Sequence, residues 1–304
     1  MTMTRAQFLI LLEPKLSQIY FDDQSKRPTE FTRYFNRRTA NKATITDQNM
    51  TGFGSPSLKG EGQVSAADDP INGNTKTYQP VRFALKYGVT DEMASHELYG
   101  QVQKLESALV EAFNDHQEVL GALWMNNAFV TTNADGFSAT GFDSLALCST
   151  AHTRLDGGAT WRNRPSTDVD LGITALQAAL TDIQNWKSHR GRPVMFDPQT
   201  LIISPEDEFT AEELLKSEYK PGVANNDVNA LRKYGLSYFI SHYKTDTDAW
   251  FIQCSKHDLN WLDEKPFGVD QWDAKDEMVT YRRGLYGAVN GHGEPYGIWG
   301  TTGV

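Results

Sequence analysis

Two cysteines, Cys148 and Cys254, are all that the 304 residues contain. They exclude a disulfide framework and point to a reducing compartment. Long apolar runs are missing too. The longest, Phe8–Leu12, falls far short of the ~20 residues a bilayer span needs. It has no cationic leader and no small-residue cleavage site behind it, so neither a signal peptide nor a membrane partner is expected. Nor is there an excess of positive charge. Lys and Arg number 29 against 39 Asp and Glu, a net charge of −10, which argues against a nucleic-acid binder relying on overall positive charge.

Catalytic signatures are equally scarce. There is no G-x-S-x-G elbow, no Walker A loop and no G-x-G-x-x-G turn, so neither nucleophilic acyl transfer nor phosphate binding has a carrier. Ser149 near His152 is an ordinary pairing. Asp68-Asp69 and Glu212-Glu213 read as solvated turn and helix positions, and the tryptophans are scattered rather than gathered into a sugar platform. One metal candidate remains. Cys148 and His152 form C-x₃-H, and Cys254 and His257 form C-x₂-H, ligands of the right type for zinc. The two pairs lie far apart in sequence, and packed cysteines with loop histidines are the default reading. A zinc-dependent hydrolase is the alternative from another class. No catalytic residue and no cofactor is expected.

What the chain does have is a globular composition, 39% apolar and 22% charged, and enough length for one large domain or two ordinary ones. Its charge is uneven: residues 1–50 carry +3 and the remainder −13. The positives include Lys26-Arg27 and Arg33, Arg37 and Arg38, interleaved with Phe31, Tyr34 and Phe35. Such a run suits nucleic acid, but an arm lying on an acidic neighbouring surface is the stronger reading. A short helix interrupted at Pro14 comes first. Residues 51–77 are rich in Gly, Ser, Asp and Asn, with turn signals at Gly60, Gly62, Asp69-Pro70 and Asn72-Gly73. They offer almost nothing for a core. Tyr78–Tyr87 then alternates like a strand, so a long projecting hairpin is expected.

A long helix is predicted over 91–128. Thr90 is a good N-cap, and Asp91 and Glu92 suit the first turn. Leu98, Val102, Leu105, Leu109, Phe113, His116, Leu120 and Leu123 recur at helical steps. The opposite face carries Glu97, Lys104, Glu106, Glu111, Asp115 and Glu118. At about 1.5 Å per residue it spans on the order of 55 Å, and Gly121 costs roughly 1 kcal/mol relative to Ala while permitting a bend. Such a spine needs a sheet to cover. Strands are expected at Leu201–Ser204, Leu236–Ser241, Ala249–Ser255 and Met278–Val289, with helices at Ile173–Lys187 and Pro205–Ser217, an α+β pattern.

In this order the elements resemble the major capsid proteins of tailed bacteriophages, with the Hong Kong 97-like fold, and most of all the Mu-like major head subunits. Gly52-Phe53-Gly54 with Lys59-Gly60-Glu61-Gly62 resembles the lead-in to the family's E-loop. Val89–Met93 with Glu97-Leu98-Tyr99 resembles the start of its spine helix, and Leu145–His152 with Gly157-Gly158 and Asn163 the loop after it. Leu201–Pro205 with Ala211–Ser217, and Thr245–Phe251, resemble axial-domain elements. Each motif is short; their order from Gly52 to Phe251 carries the resemblance. It implies an N-terminal arm at 1–50, an E-loop at 51–82 and a peripheral domain at 83–165 with the spine helix. It further implies an axial domain at 166–260, return strands at 261–290 and a C-terminal segment near the axial domain at 291–304.

The resemblance also implies a non-enzymatic homo-oligomer. Pentamers and hexamers would form an icosahedral shell around double-stranded DNA held without sequence specificity, with a portal and a separate scaffolding protein as partners. Assembly would take place in the bacterial cytoplasm, and the mature location would be the virion. A decoration protein is left open. Arm-like sequence starts almost at Met1, so no large N-terminal removal is expected. Some relatives cross-link a loop lysine to an asparagine; Lys59 and Lys76 are candidates, without an identifiable acceptor site, and no cross-link is expected. Intersubunit contacts fall on Arg33, Arg37, Arg38, Phe53, Lys59, Glu61, Glu106 and Glu111. An encapsulin-type cargo compartment is the same-fold alternative.

Overall fold

A computed structural model describes residues 29–95, 99–220, 227–274 and 279–304. The Phe8–Leu12 run with Pro14, the Lys26-Arg27 pair, Glu97, Leu98 and Met278 lie outside the described residues. In chain order the strands are β1 (Asn36–Thr39), β2 (Ile45–Met50), β3 (Asn72–Tyr78), β4 (Val81–Thr90), β5 (Phe137–Ser138) and β6 (Pro198–Ile203). They continue as β7 (Ser237–Ile240), β8 (Trp250–Cys254), β9 (Leu259–Ala274), β10 (Val279–His292) and β11 (Ile298–Thr301). The α-helices are α1 (Asp91–Ser95), α2 (Tyr99–Asn126), α3 (Ile173–Gln184) and α4 (Glu208–Lys216). The chain forms two compact units. The first takes the described residues up to Ala43, Gln79–Gly121 and Trp261–Val289; the second takes Thr44–Tyr78, Ala122–Asn260 and Asn290–Val304.

The first unit is a helix on a sheet. Its strands run in the order β1-β9-β10-β4, with β10 antiparallel to β4 from Val279↔Thr90 to Ala288↔Val81. Side chains alternate across a strand, and over Val279–Tyr286 of β10 the buried set is Thr280, Arg282, Gly284 and Tyr286. That face meets α2. Phe113 lies over Gly284, where a Cβ would fall 2.4 Å from its ring, and its ring centroid is 4.6 Å from Phe267 and 5.8 Å from Tyr286. Burial lowers the His116 pKa and raises that of Tyr286, favouring the neutral form of each, and the Tyr286 hydroxyl is hydrogen-bonded to His116 Nδ1 at 2.5 Å. At the helix entrance the Thr90 hydroxyl accepts the Met93 N–H at 3.3 Å, an N-cap bond.

The arm joins this unit through Phe31, Tyr34 and Phe35, all buried. Phe31 and Phe35 flank Trp261, with centroids 4.7 and 5.6 Å away. The aromatics of the basic run are therefore core, not a stacking platform for bases. Phe31 also presses on Gly121, where a Cβ would fall 2.3 Å from its own Cβ. Gly121 serves close packing here, where the sequence suggested a bend. The Glu118 carboxylate accepts the backbone N–H of both Glu30 and Phe31 at 2.9 Å.

The second unit centres on a sheet ordered β11-β8-β6-β7. β6 and β7 are parallel, the other pairs antiparallel. β8 is buried at every residue, as expected of a central strand covered on both faces, and the edge strand β11 is buried throughout as well. Leu176, Leu180 and Ile183 of α3 and Ala211 and Leu215 of α4 share one core with Leu201, Trp250 and Trp299. The predicted helix ending at Lys187 stops at Gln184, and the predicted Pro205–Ser217 helix opens with a 3-10 turn, Pro205–Asp207.

The hairpin differs from expectation. β3 pairs with β2, from Ile45↔Tyr78 to Met50↔Asn72, while β4 belongs to the other unit. The expected Tyr78–Tyr87 strand is broken at Gln79-Pro80, where proline supplies no N–H for a ladder.

Candidate functional site

The four metal candidates have structural duties, His257 by accepting the Leu259 N–H on Nδ1 at 3.3 Å. Cys254 lies in the β8 core and Cys148 is buried with its N–H on the Ala128 carbonyl at 2.7 Å. Burial raises the pKa of both thiols, that of Cys254 to about 12, so neither is a ready thiolate. His152 is fully buried, with Nδ1 2.6 Å from Asp143 Oδ2 and Nε2 2.9 Å from Asn163 Oδ1. Asn163 in turn donates to the carbonyls of Leu147, at 2.7 Å, and Ile298, at 3.0 Å. The motif Leu145–His152 with Asn163 thus builds a buried polar knot that ties a loop to β11. Among the described residues no group of His, Cys, Asp or Glu is placed to hold a metal ion.

The predicted contact residues separate into exposed and internal ones. Arg33, Arg38, Phe53, Lys59, Glu61 and Glu111 are exposed. Arg37 is half-exposed but already has an acid in its own chain: its guanidinium donates to Asp263 Oδ2 at 2.7 Å. Glu106 overturns the expectation. It is fully buried, with Arg282 Nε 3.1 Å from Oε2 and the Tyr87 hydroxyl donating to Oε2 at 2.6 Å. Glu118 is buried as well. The acidic face of α2 is therefore only partly a surface, because the helix meets the sheet on one side and the arm on another.

Residues 51–71 form an irregular loop between β2 and β3, with Phe53, Leu58 and Val64 exposed at 62%, 99% and 95%. Its neck is tied. The Thr51 N–H donates to the Ile71 carbonyl, and the Ile71 N–H to Thr51 Oγ1, each at 3.0 Å. Arg190 Nε reaches Thr51 Oγ1 and the Gly52 carbonyl at 3.2 Å, and its Nη2 donates to the Asp69 carbonyl. Arg192 donates to the Phe53 carbonyl at 2.8 Å. Sequence reasoning passed over these arginines. The signal was there in His189-Arg190-Gly191-Arg192, two arginines flanking a glycine turn beside a histidine.

Lys76 was also misjudged. It lies on β3 rather than in the loop, buried, and donates to the carbonyls of Thr140 and His292. Burial brings its pKa down to about 7, against the pull of Asp258, Asp47 and Asp143. Neighbouring His292 is held well below the usual range by burial and by Lys76. The hairpin is thus pinned twice, at its base by Lys76 and at its neck by Arg190. Elsewhere a cleft of about 230 Å³ beside Trp161 and Trp186 includes Arg154 and Arg162, whose charges are taken by Asp156 and Asp182.

Beside this pinned, coreless loop with its exposed apolar side chains, the sequence profile of phage capsid proteins matches residues 73–300. The chain belongs to the phage capsid protein family. Solved structures agree on the fold. The capsid of a native GTA particle superposes with a TM-score of 0.59 at 10% identity, over 90% of this chain and 89% of that one. Mycobacterium phage Adephagia gives 0.54 at 10% identity over 92% and 91%. The holo-SrpI encapsulin complex of Synechococcus elongatus gives 0.54 at 9% identity over 92% and 89%. The capsid protein therefore has the Hong Kong 97-like fold, and its α+β elements suit that assignment. No curated protein matches it in sequence.

Proposed function

We propose that this capsid protein is a head subunit of the Mu-like type, assembling as pentamers and hexamers into an icosahedral shell around double-stranded DNA. The observation that carries the reading is the 51–71 loop: three large apolar side chains stand exposed on a tied stalk, and their burial must come from another copy. In this reading 1–50 is the arm, 51–82 the E-loop, and 83–165 the peripheral domain with its spine helix. Residues 166–260 are the axial domain, 261–290 the return strands and 291–304 the C-terminal segment. Arg33, Arg38, Phe53, Lys59, Glu61 and Glu111 face neighbours, and Arg37 divides its charge between Asp263 and the next subunit. The net charge of −10 fits a lining that must release packed DNA. A portal and a separate scaffolding protein complete the head, assembled in the host cytoplasm, and the subunit performs no catalysis.

Electron microscopy of the expressed protein tests this. Shells or five- and sixfold capsomers are expected; a persistently compact monomer would overturn it. Replacing Phe53, Leu58 and Val64 together by Ser should abolish shells while leaving amide exchange in β8 unchanged. The similarity to the SrpI encapsulin supports a second reading, a cargo compartment. Particles from the natural host separate the two: nuclease-protected double-stranded DNA favours a head, enclosed protein a compartment.

A further inference from the structure

We propose that Arg190 is the positioning residue of the 51–71 loop: one guanidinium holds both legs of its neck and so fixes the direction in which the loop leaves the second unit. The inference rests on the reading of that loop as the fastening to a neighbouring copy.

The loop has little else to aim it. The strand ladder ends at Met50↔Asn72, and among the described residues only Gly54 N–H on Asp68 Oδ2, at 2.5 Å, crosses between the legs beyond the two Thr51–Ile71 bonds. One backbone bond and one bond to a threonine hydroxyl close a loop but leave it free to swing. Arg190 adds the missing constraint. Its Nε serves the outgoing leg at Thr51 and Gly52, its Nη2 serves the returning leg at Asp69, and its Nη1 lies 3.5 Å from Asp68 Oδ1. The side chain is 16% exposed, so it sits against the neck rather than waving from the surface. Arg192 holds the next residue outward, Phe53.

The group that does the holding is itself rigid. Arg190 sits on a tight turn in which Ser188 N–H meets Arg192 O and Gly191 N–H meets Ser188 O, each at 2.8 Å. Gly191 supplies φ +72°, which a side chain would disfavour. The turn is rooted on buried Trp186, whose carbonyl accepts the Val194 N–H at 3.1 Å. His189 adds a contact to Asn49 at 3.3 Å and to Glu294 at 3.1 Å. The core, the turn, the guanidinium and the neck form one chain of short contacts. Geometry also demands arginine. A planar fork can serve acceptors on opposite sides at once, whereas a lysine ammonium is a point charge on a flexible stem and would reach one leg.

The test is hydrogen exchange on the soluble subunit carrying Arg190→Ala, Arg190→Lys or Thr51→Val, with microscopy of the same variants. In Arg190→Ala the Thr51 and Ile71 amides should exchange about ten- to a hundredfold faster, the loss expected for a charge-assisted bond. Arg190→Lys should come close to that value, and Thr51→Val, which leaves Arg190 its Gly52 and Asp69 carbonyls, should loosen Ile71 most and Thr51 less than Arg190→Ala does. Amides of β6 and β8 should stay as they are, which guards against a variant that merely fails to fold. Unchanged protection at Thr51 and Ile71 in Arg190→Ala, or full rescue by Lys, overturns the inference. Lost protection together with an undiminished yield of shells supports the positioning role and instead removes the loop as a fastening.

Discussion

Replacing Glu106 by Ala should be among the most damaging single changes in the first unit. The carboxylate is fully buried and Arg282 beside it is 6% exposed, so removing the acid leaves an arginine charge inside the protein, with Gln271 Oε1 at 3.0 Å as its further partner among the described residues. Breaking a buried pair in this way costs about 3–5 kcal/mol, and the Tyr87 hydroxyl loses its acceptor for about 1 kcal/mol more. Against a total stability of roughly 5–15 kcal/mol, that is a large share. Glu106→Gln keeps the volume and one acceptor oxygen and should cost about 2 kcal/mol. The informative variant is the double replacement Glu106→Leu with Arg282→Met. Both charges are gone, the apolar volume is kept, and stability should return to within about 1 kcal/mol of the parent. Of the seven tryptophans only Trp261 and Trp272 lie in the first unit, so whole-chain fluorescence would mix signals. Hydrogen exchange of the β4 and β10 amides under increasing urea reads the right unit. A single-mutant cost below about 1 kcal/mol, or a double mutant as damaged as Glu106→Ala, would refute the claim that this pair matters to the seating of the helix.

Two further perturbations follow from packing and from protonation. Gly284→Ala places a methyl 2.4 Å from the Phe113 ring and should cost about 1–3 kcal/mol; Phe113→Leu in the same chain should recover part of it, as measured by urea midpoints. Lys76 sets a pH dependence. Its folded pKa of about 7 lies below the ordinary 10.5, so between those values the unfolded chain binds more protons. Stability from this site therefore rises with pH across that window, by at most about 1.4 kcal/mol per unit, and is flat below it. Lys76→Met should remove that slope, and an unaltered slope would sink the assignment.

The long helix was legible because its burial is largely periodic: Leu109, Phe113 and Leu120 are buried as the stripe requires, while Leu105 of the same stripe is exposed. The acids between them misled. A glutamate in a helical pattern reads as solvated, and nothing local announces that Arg282, far along the chain, will meet Glu106. Three of the sheet strands of the second unit were visible as apolar runs; for the inner two, β6 and β8, cover on both faces removes the need for alternation. β9 was not, because Pro266, Gly268 and its acids break every strand signal. The candidate site was half legible. The poverty of residues 51–71 in core-forming side chains marked them as a loop with an outside purpose, but the residues that hold the loop, Lys76 and Arg190, are single cations whose partners are mostly backbone carbonyls. Backbone acceptors leave no trace in a sequence.

The register between β4 and β10 has a consequence for synthesis. β4 ends at Thr90 and its partner begins at Val279, so at ~5–20 residues per second a ribosome makes the first of these strands roughly 10–40 s before the second. Throughout that interval Tyr87, Phe83 and the apolar side of the helix have no sheet to rest against. The nascent chain must be kept from associating through them, and with other copies being made nearby, premature pairing is the hazard. A chaperone that engages the first third of the chain during translation, or a temperature that slows association more than elongation, should therefore raise the yield of soluble subunit.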